Sequence, residues 1–167
     1  NDTFPSWGYS IKHGATSIWE RWDGWTADKG FQDPGMNSFA HYSFGAVAQW
    51  MFQSVAGIRG EEPGFQRLLI SPCPGEGLTW VKASYDSIHG EIRSEWRING
   101  DELQMDITIP ANTTAKIVLP HGNAEEITEN GRPLADSQGV KVLSSDGGQV
   151  VIAAPAGTYS FFLPRAK

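Results

Sequence analysis

The feature that most constrains this chain is a change of periodicity near Gly60. Before it, Phe39, Tyr42, Ala46, Val47, Trp50, Met51 and Val55 recur mostly at spacings of three and four residues. That is the stripe of an amphipathic helix, and it predicts one over 38–56. Asn37 or Ser38 can cap its start, and Gly57 can close its end in a left-handed turn. Shorter helical pieces are expected at 5–10 and 14–22, and Asp33-Pro34-Gly35 reads as a turn. After Gly60 the pattern is β. Nine short β-rich runs are expected, at 68–70, 78–85, 88–98, 103–109, 115–119, 125–128, 140–143, 149–153 and 158–163. Alternation is clearest over 91–98, where Ile92, Trp96 and Ile98 can share a core face. Asn99-Gly100, Asn130-Gly131 and Asp146-Gly147-Gly148 separate runs, and the first is the pair that a type I′ hairpin favours.

These patterns predict an α+β chain with two parts: a helical, aromatic segment over 1–60 and an antiparallel, jelly-roll-like β-sandwich over 61–167. A nineteen-residue helix (38–56) cannot bury its stripe alone. It must pack on the sandwich or belong to a helical array larger than this chain.

Composition excludes some partners. A formal charge of −6 with no basic run argues against a nucleic-acid backbone as ligand. No run of 18 or more apolar residues is present, so no membrane span is expected. The single Cys73, between Pro72 and Pro74, cannot form an internal disulfide and reads as a small packed residue. His13, His89 and His121 show no metal-ligand spacing with each other or with Cys73, so no zinc site is expected; no cofactor is expected either. The opening Asn1-Asp2-Thr3-Phe4-Pro5 lacks the layout of a signal peptide and reads as a continuation of something upstream.

Tryptophan is concentrated at the front. Five of the seven fall in the first fifty residues, three of them in Trp19-Glu20-Arg21-Trp22-Asp23-Gly24-Trp25. Indole faces beside a carboxylate suit a sugar site, because rings stack on apolar pyranose faces while the carboxylate moves protons. Equally, tryptophan fills cores, and a Glu–Arg neighbour pair is often a solvated structural pair. Within the run Glu20 is the best catalytic candidate: aromatic walls would raise its pKa and the adjacent Arg21 would keep it ionised. Asp23 and Asp28 are further carboxylates near the indoles, though loop aspartates usually cap or turn. His41 is expected near the N-terminus of the long helix, where the dipole favours a neutral imidazole able to meet a sugar hydroxyl. A lone histidine in an aromatic helix is more often simply packed and hydrogen-bonded.

Two longer strings narrow these alternatives. Gly14-Ala15-Thr16-Ser17-Ile18-Trp19-Glu20-Arg21-Trp22-Asp23-Gly24 resembles the G-A-T-T-x-W-E-R-W-D signature of the bacterial α-L-rhamnosidases. Met36-Asn37-Ser38-Phe39-Ala40-His41-Tyr42-Ser43-Phe44-Gly45-Ala46-Val47 is similar to that family's M-N-S-x-N-H-Y-x-F-G-A-V segment. Residues 64–72 and 77–85 resemble the entry into its C-terminal β-domain. The likeness covers roughly the first 100 residues; Ser17 and Ala40 depart from a common threonine and asparagine.

The resemblance implies inverting glycoside hydrolases with an (α/α)₆-barrel, this chain holding the last barrel helices and the C-terminal β-sandwich. It implies that Glu20 is the general base and that His41 contacts the sugar, with Trp19, Trp22 and Arg21 around the substrate. The general acid would come from an earlier part of the barrel, so this chain alone is expected to be inactive. Implied partners are rhamnose-containing glycosides or polysaccharides and the remainder of the barrel. The compartment stays open between bacterial cytoplasm, periplasm and exterior. The alternative of a different class is a non-catalytic β-sandwich module that binds sugar or braces a neighbouring domain.

Overall fold

A computed structural model of the chain describes residues 1–75 and 77–165. Two compact units are present, Asn1–Gln49 and Trp50–Lys167. Most of the regular structure is β-sheet, and helices are few and short.

The first unit opens with α1 (Trp7–Lys12) and a two-stranded ribbon of β1 (Trp25–Thr26) and β2 (Gly30–Phe31). Ser6 caps α1, its hydroxyl accepting the Tyr9 amide at 3.0 Å. No helix forms over 14–22, and the long helix is shorter than its periodicity suggests. The helical segment begins only at Ser43–Ala46, a 3₁₀ turn, continues as α2 (Val47–Trp50) and widens into a π turn, Met51–Val55. Residues 38–41 do not join the helix because amides there are bonded elsewhere: the Ser38 N–H donates to Glu20 Oε2 and the His41 N–H to the Ile18 carbonyl, both at 2.8 Å. Neither Asn37 nor Ser38 caps the segment, whereas Gly57 does end it with φ +80°.

Among the described residues the second unit is one nine-stranded sheet. Its strands are β3 (Ile58–Gly60), β4 (Arg67–Ile70), β5 (Trp80–Ser87), β6 (Gly90–Asn99), β7 (Glu102–Leu119), β8 (Thr128–Glu129), β9 (Arg132–Pro133), β10 (Lys141–Asp146) and β11 (Gln149–Pro164). The runs expected at 103–109 and 115–119 are a single strand, β7, and those at 149–153 and 158–163 are a single strand, β11. Pro110 and Asn112, and likewise Pro155 and Gly157, read as breaks but serve as irregularities within continuous strands. Asn112 takes φ +60°, and the β7–β11 register shifts between Pro155 and Gly157. The expected antiparallel pattern has one exception, because β4 runs parallel to β7.

Turn chemistry follows the glycines. Asn99 pairs with Glu102, so the β6–β7 loop is Gly100-Asp101, with positive φ at Gly100 alone. That is the II′ pattern instead of the expected I′. Asn130-Gly131 and Gly147-Gly148 have positive φ at both central positions, as I′ requires.

Alternation along the two long strands builds the core. Leu103, Met105, Ile107, Ile117 and Leu119 from β7 meet Val150, Ile152, Phe161 and Leu163 from β11, each at most 1% exposed. Trp96 and Ile92 of β6 join the same cluster. Trp96 also makes a polar contact, its indole N–H donating to the Val55 carbonyl at 2.9 Å, while the Ser94 hydroxyl donates to the Ala56 carbonyl at 2.6 Å. These two bonds satisfy carbonyls that the end of the helical segment leaves open.

Two substitutions test this account. Trp96→Phe removes the donor to the Val55 carbonyl, and chemical denaturation should show a loss of about 1–3 kcal/mol. Gly57→Ala should be worse than the usual point mutation, roughly 3 kcal/mol or more. Its Cβ would stand 2.2 Å from the Pro72 nitrogen, on a backbone of positive φ.

Candidate active-site wall

The first unit's two motif segments are irregular backbone joined to one another by hydrogen bonds. Glu20 sits at their junction. Its amide bonds the Ser38 carbonyl and one carboxylate oxygen, Oε2, accepts the Ser38 amide at 2.8 Å. The side chain is therefore held from both ends of one residue, and a charged acceptor makes the second bond the stronger type. Among the described residues the other oxygen, Oε1, accepts no hydrogen bond. A half-buried carboxylate fixed through one oxygen keeps the second for chemistry.

Gly24 and Asn37 secure the turn after Glu20. The Asn37 amide group donates to the Gly24 carbonyl at 2.8 Å, and the Gln32 amide reaches the same carbonyl at 3.1 Å. Gly24 is buried, and a Cβ there would meet the Asn37 side-chain oxygen at 2.6 Å. That oxygen is itself buried and lacks a hydrogen-bond partner.

Arg21 does not serve Glu20 as expected. Its guanidinium forks onto Asp23, Nε to Oδ1 at 3.0 Å and Nη2 to Oδ2 at 2.9 Å. The reason is spacing: at i and i+2 in a tight turn, the planar guanidinium meets both carboxylate oxygens at once. This hydrogen-bonded pair holds the Asp23 carboxyl below its ordinary value and the Arg21 guanidinium above its own. Asp28 is also lowered, first by a hydrogen bond with Thr26.

The indoles divide between two neighbours. Trp22 stacks on Phe44 with ring centroids 4.1 Å apart and receives the edge of Trp7 at 5.1 Å. Trp19 meets Phe39 edge-on at 5.3 Å. Trp19, Trp22, Trp7, Ile18 and Phe44 line an apolar cleft of about 310 Å³, with Ser10, Thr16 and Ser17 among its polar groups. Glu20, Arg21 and His41 are not on its wall. His41 precedes the helical segment instead of opening it. Its backbone is held by Ile18, and its imidazole lies parallel to the Tyr42 ring at 5.3 Å.

The structure thus places Glu20 and His41 on the same paired segments and puts Trp19 and Trp22 on one cleft. Ser38, Asn37, Trp7 and Phe44 complete the arrangement. Sequence reasoning assigned Ser38 and Asn37 only to helix capping. Their presence beside His41 in the second motif was the available signal.

The chain is similar to known proteins over nearly its whole length. Residues 1–55 match the family model described as bacterial alpha-L-rhamnosidase 6 hairpin glycosidase domain, and residues 57–133 match that of the bacterial alpha-L-rhamnosidase C-terminal domain. An α-L-rhamnosidase of Formosa agariphila is 36% identical over 161 residues, covering 96% of this chain and 17% of the relative. One from Streptomyces avermitilis is 40% identical over 125 residues, 75% of this chain and 12% of the relative. The crystal structure of the Streptomyces avermitilis α-L-rhamnosidase complexed with L-rhamnose superposes with a TM-score of 0.87 at 33% identity. It covers 98% of this chain and 15% of that one. The structure of the enzyme from Dictyoglumus thermophilum gives 0.83 at 30%, covering 99% and 18%.

Two consecutive domain types of one glycoside-hydrolase family therefore occur here in order, and the chain belongs to the bacterial α-L-rhamnosidase family. It spans about a sixth of the length of the relatives it matches. Among the described residues no helix is long and apolar enough to cross a membrane.

The Arg21–Asp23 pair makes a pH prediction. A carboxyl with a lowered folded pKa adds stability that is present above the unfolded value and lost as pH falls through the folded one. Followed by NMR, Asp23 should titrate below 3.8. In Arg21→Gln its midpoint should move up toward 3.8, since the leading cause of the shift is gone.

Proposed function

We propose that this chain forms one wall of the active site of an α-L-rhamnosidase, which releases terminal α-L-rhamnose from glycosides or polysaccharides with inversion. Glu20 is the general base. Its free Oε1 takes a proton from water as that water attacks the anomeric carbon, while the Ser38 amide on Oε2 fixes the carboxylate's direction. An acid from the remainder of the barrel protonates the departing oxygen. Inversion needs room for the water, so the two carboxyls stand about 6.5–9.5 Å apart. Each turnover consumes one water, breaks one C–O bond and yields β-L-rhamnose and an alcohol. His41 meets a sugar hydroxyl, Trp19 and Trp22 provide apolar walls, and Arg21 lines the substrate side while pinned by Asp23. No cofactor enters this reaction.

In this reading residues 1–60 are the end of an (α/α)₆ barrel, and residues 61–167 form a β-sandwich folded across β7 and β11. The exposed apolar side chains support a barrel partner: Trp7 and Ile11 in the first unit, and consecutive Trp50, Met51 and Phe52 in the second. Such side chains need cover that this chain does not provide.

The observation that carries the proposal is the Glu20–Ser38 bond, which joins the two motif segments at a carboxylate. In a protein with the complete barrel, Glu20→Gln should lower kcat on an aryl α-L-rhamnoside by about 10²–10⁴-fold with the fold intact. The 167-residue chain alone should show no turnover. Unchanged activity in Glu20→Gln would favour the non-catalytic module instead.

A further inference from the structure

The outer face of β5, β6 and β7 carries a feature that the hydrolytic reading leaves unused. Trp80, the first residue of edge strand β5, is 61% exposed, although most large side chains on this sheet are buried. In register beside it are Arg97 of β6 and Gln104 of β7. The next outward row holds Lys82, Glu95 and Asp106. Strands lie about 4.8 Å apart and rows about 7 Å apart, so the two rows present a grid on the scale of one or two pyranose rings. A shallow cleft of about 260 Å³ runs along it, walled by Trp80, Lys82, Glu95 and Arg97.

The polar groups are braced by one another. Lys82 Nζ lies 3.2 Å from Glu95 Oε2 and Arg97 Nη2 3.5 Å from Asp106 Oδ2. The Gln104 amide and the Ser160 hydroxyl both donate to Asp106, at 3.1 and 2.6 Å. Donors and acceptors alternate at nearly balanced charge. Such a surface suits hydroxyl groups, each of which gives and accepts a hydrogen bond, better than a polyanion or polycation. An exposed indole at the head of the grid supplies the apolar face for stacking.

We propose that Trp80, with Arg97, Lys82, Glu95 and Gln104, forms a non-catalytic binding platform for a neutral, hydroxyl-rich glycan chain. Trp80 stacks on one sugar, and the two polar rows bond its neighbours. The platform depends on the rhamnosidase reading only for the choice of probe. It would hold a polymeric substrate near the enzyme without touching the bond that is cut.

The test is titration of a neutral rhamno-oligosaccharide into the protein carrying this chain, followed by indole fluorescence and by NMR of the Trp80 side chain. Saturable binding is expected, weakened roughly tenfold by Trp80→Ala and restored by Trp80→Phe. Arg97→Ala should weaken it as well, while kcat/KM on a small aryl rhamnoside stays unchanged in every variant. Absence of saturable binding, binding indifferent to Trp80→Ala, or preference for polygalacturonate would each overturn the proposal. Binding that needs Trp80 in a protein without rhamnosidase activity would sustain the platform and remove the hydrolytic reading, so the two fail separately.

Discussion

The pairing of β7 with β11 is the constraint on which the β-rich unit depends. From Val150↔Leu119 to Pro164↔Glu102 the two strands stay in antiparallel register except for one shift. Every other strand is attached to one of them or to a strand that is. The first half of β7 carries β6 and through it β5, and its second half carries β4 in parallel, with β3 beyond. β11 carries β10 at one end and β8 at the other. Irregularities at Pro110–Thr113 and Pro155–Gly157 occur side by side, so both strands change direction together. The Thr113 hydroxyl donates to the Pro110 carbonyl at 2.7 Å, and the Tyr159 hydroxyl to the Pro155 carbonyl at 2.9 Å. These bonds satisfy backbone groups that the shift takes out of the ladder.

The first unit depends on a smaller constraint of the same kind. Its two motif segments make few regular elements, yet their backbones are paired through Ile18, Glu20, Ser38 and His41. A carboxylate that replaces a carbonyl as acceptor in such a pairing becomes part of the scaffold. Glu20 is then positioned by main-chain geometry instead of by a flexible cation. That is the preorganisation a proton-transfer group needs.

Much of this was legible in the residues, for reasons that differ by element. The two motif strings carried the family, and their pairing brings Glu20 and His41 onto adjoining segments while Trp19 and Trp22 line a separate cleft. The period-two alternation around Trp96 located the core face of β6. What escaped is what tertiary contacts decide. Residues 38–41 carry a helical stripe but spend their amides on the neighbouring segment, so the helix starts at Ser43. Pro110 and Pro155 look like strand ends because proline lacks a ladder donor, but bulges accommodate them inside long strands. Arg21 stands next to Glu20 in sequence, and no propensity foretells that its guanidinium turns to Asp23. The parallel β4–β7 pair was equally invisible, since alternation reports faces and not strand direction.

The central claim is that Glu20 activates the nucleophile on the face opposite the leaving group. The most direct measurement gives a protein with the complete barrel the substitution Glu20→Ala and supplies sodium azide with an activated aryl α-L-rhamnoside. A small anion that needs no deprotonation should enter the space left by the carboxylate, restore turnover, and yield the β-L-rhamnosyl azide, identified by NMR. Recovery of the α-azide, or no azide effect in a folded variant that still binds L-rhamnose, would contradict the assignment.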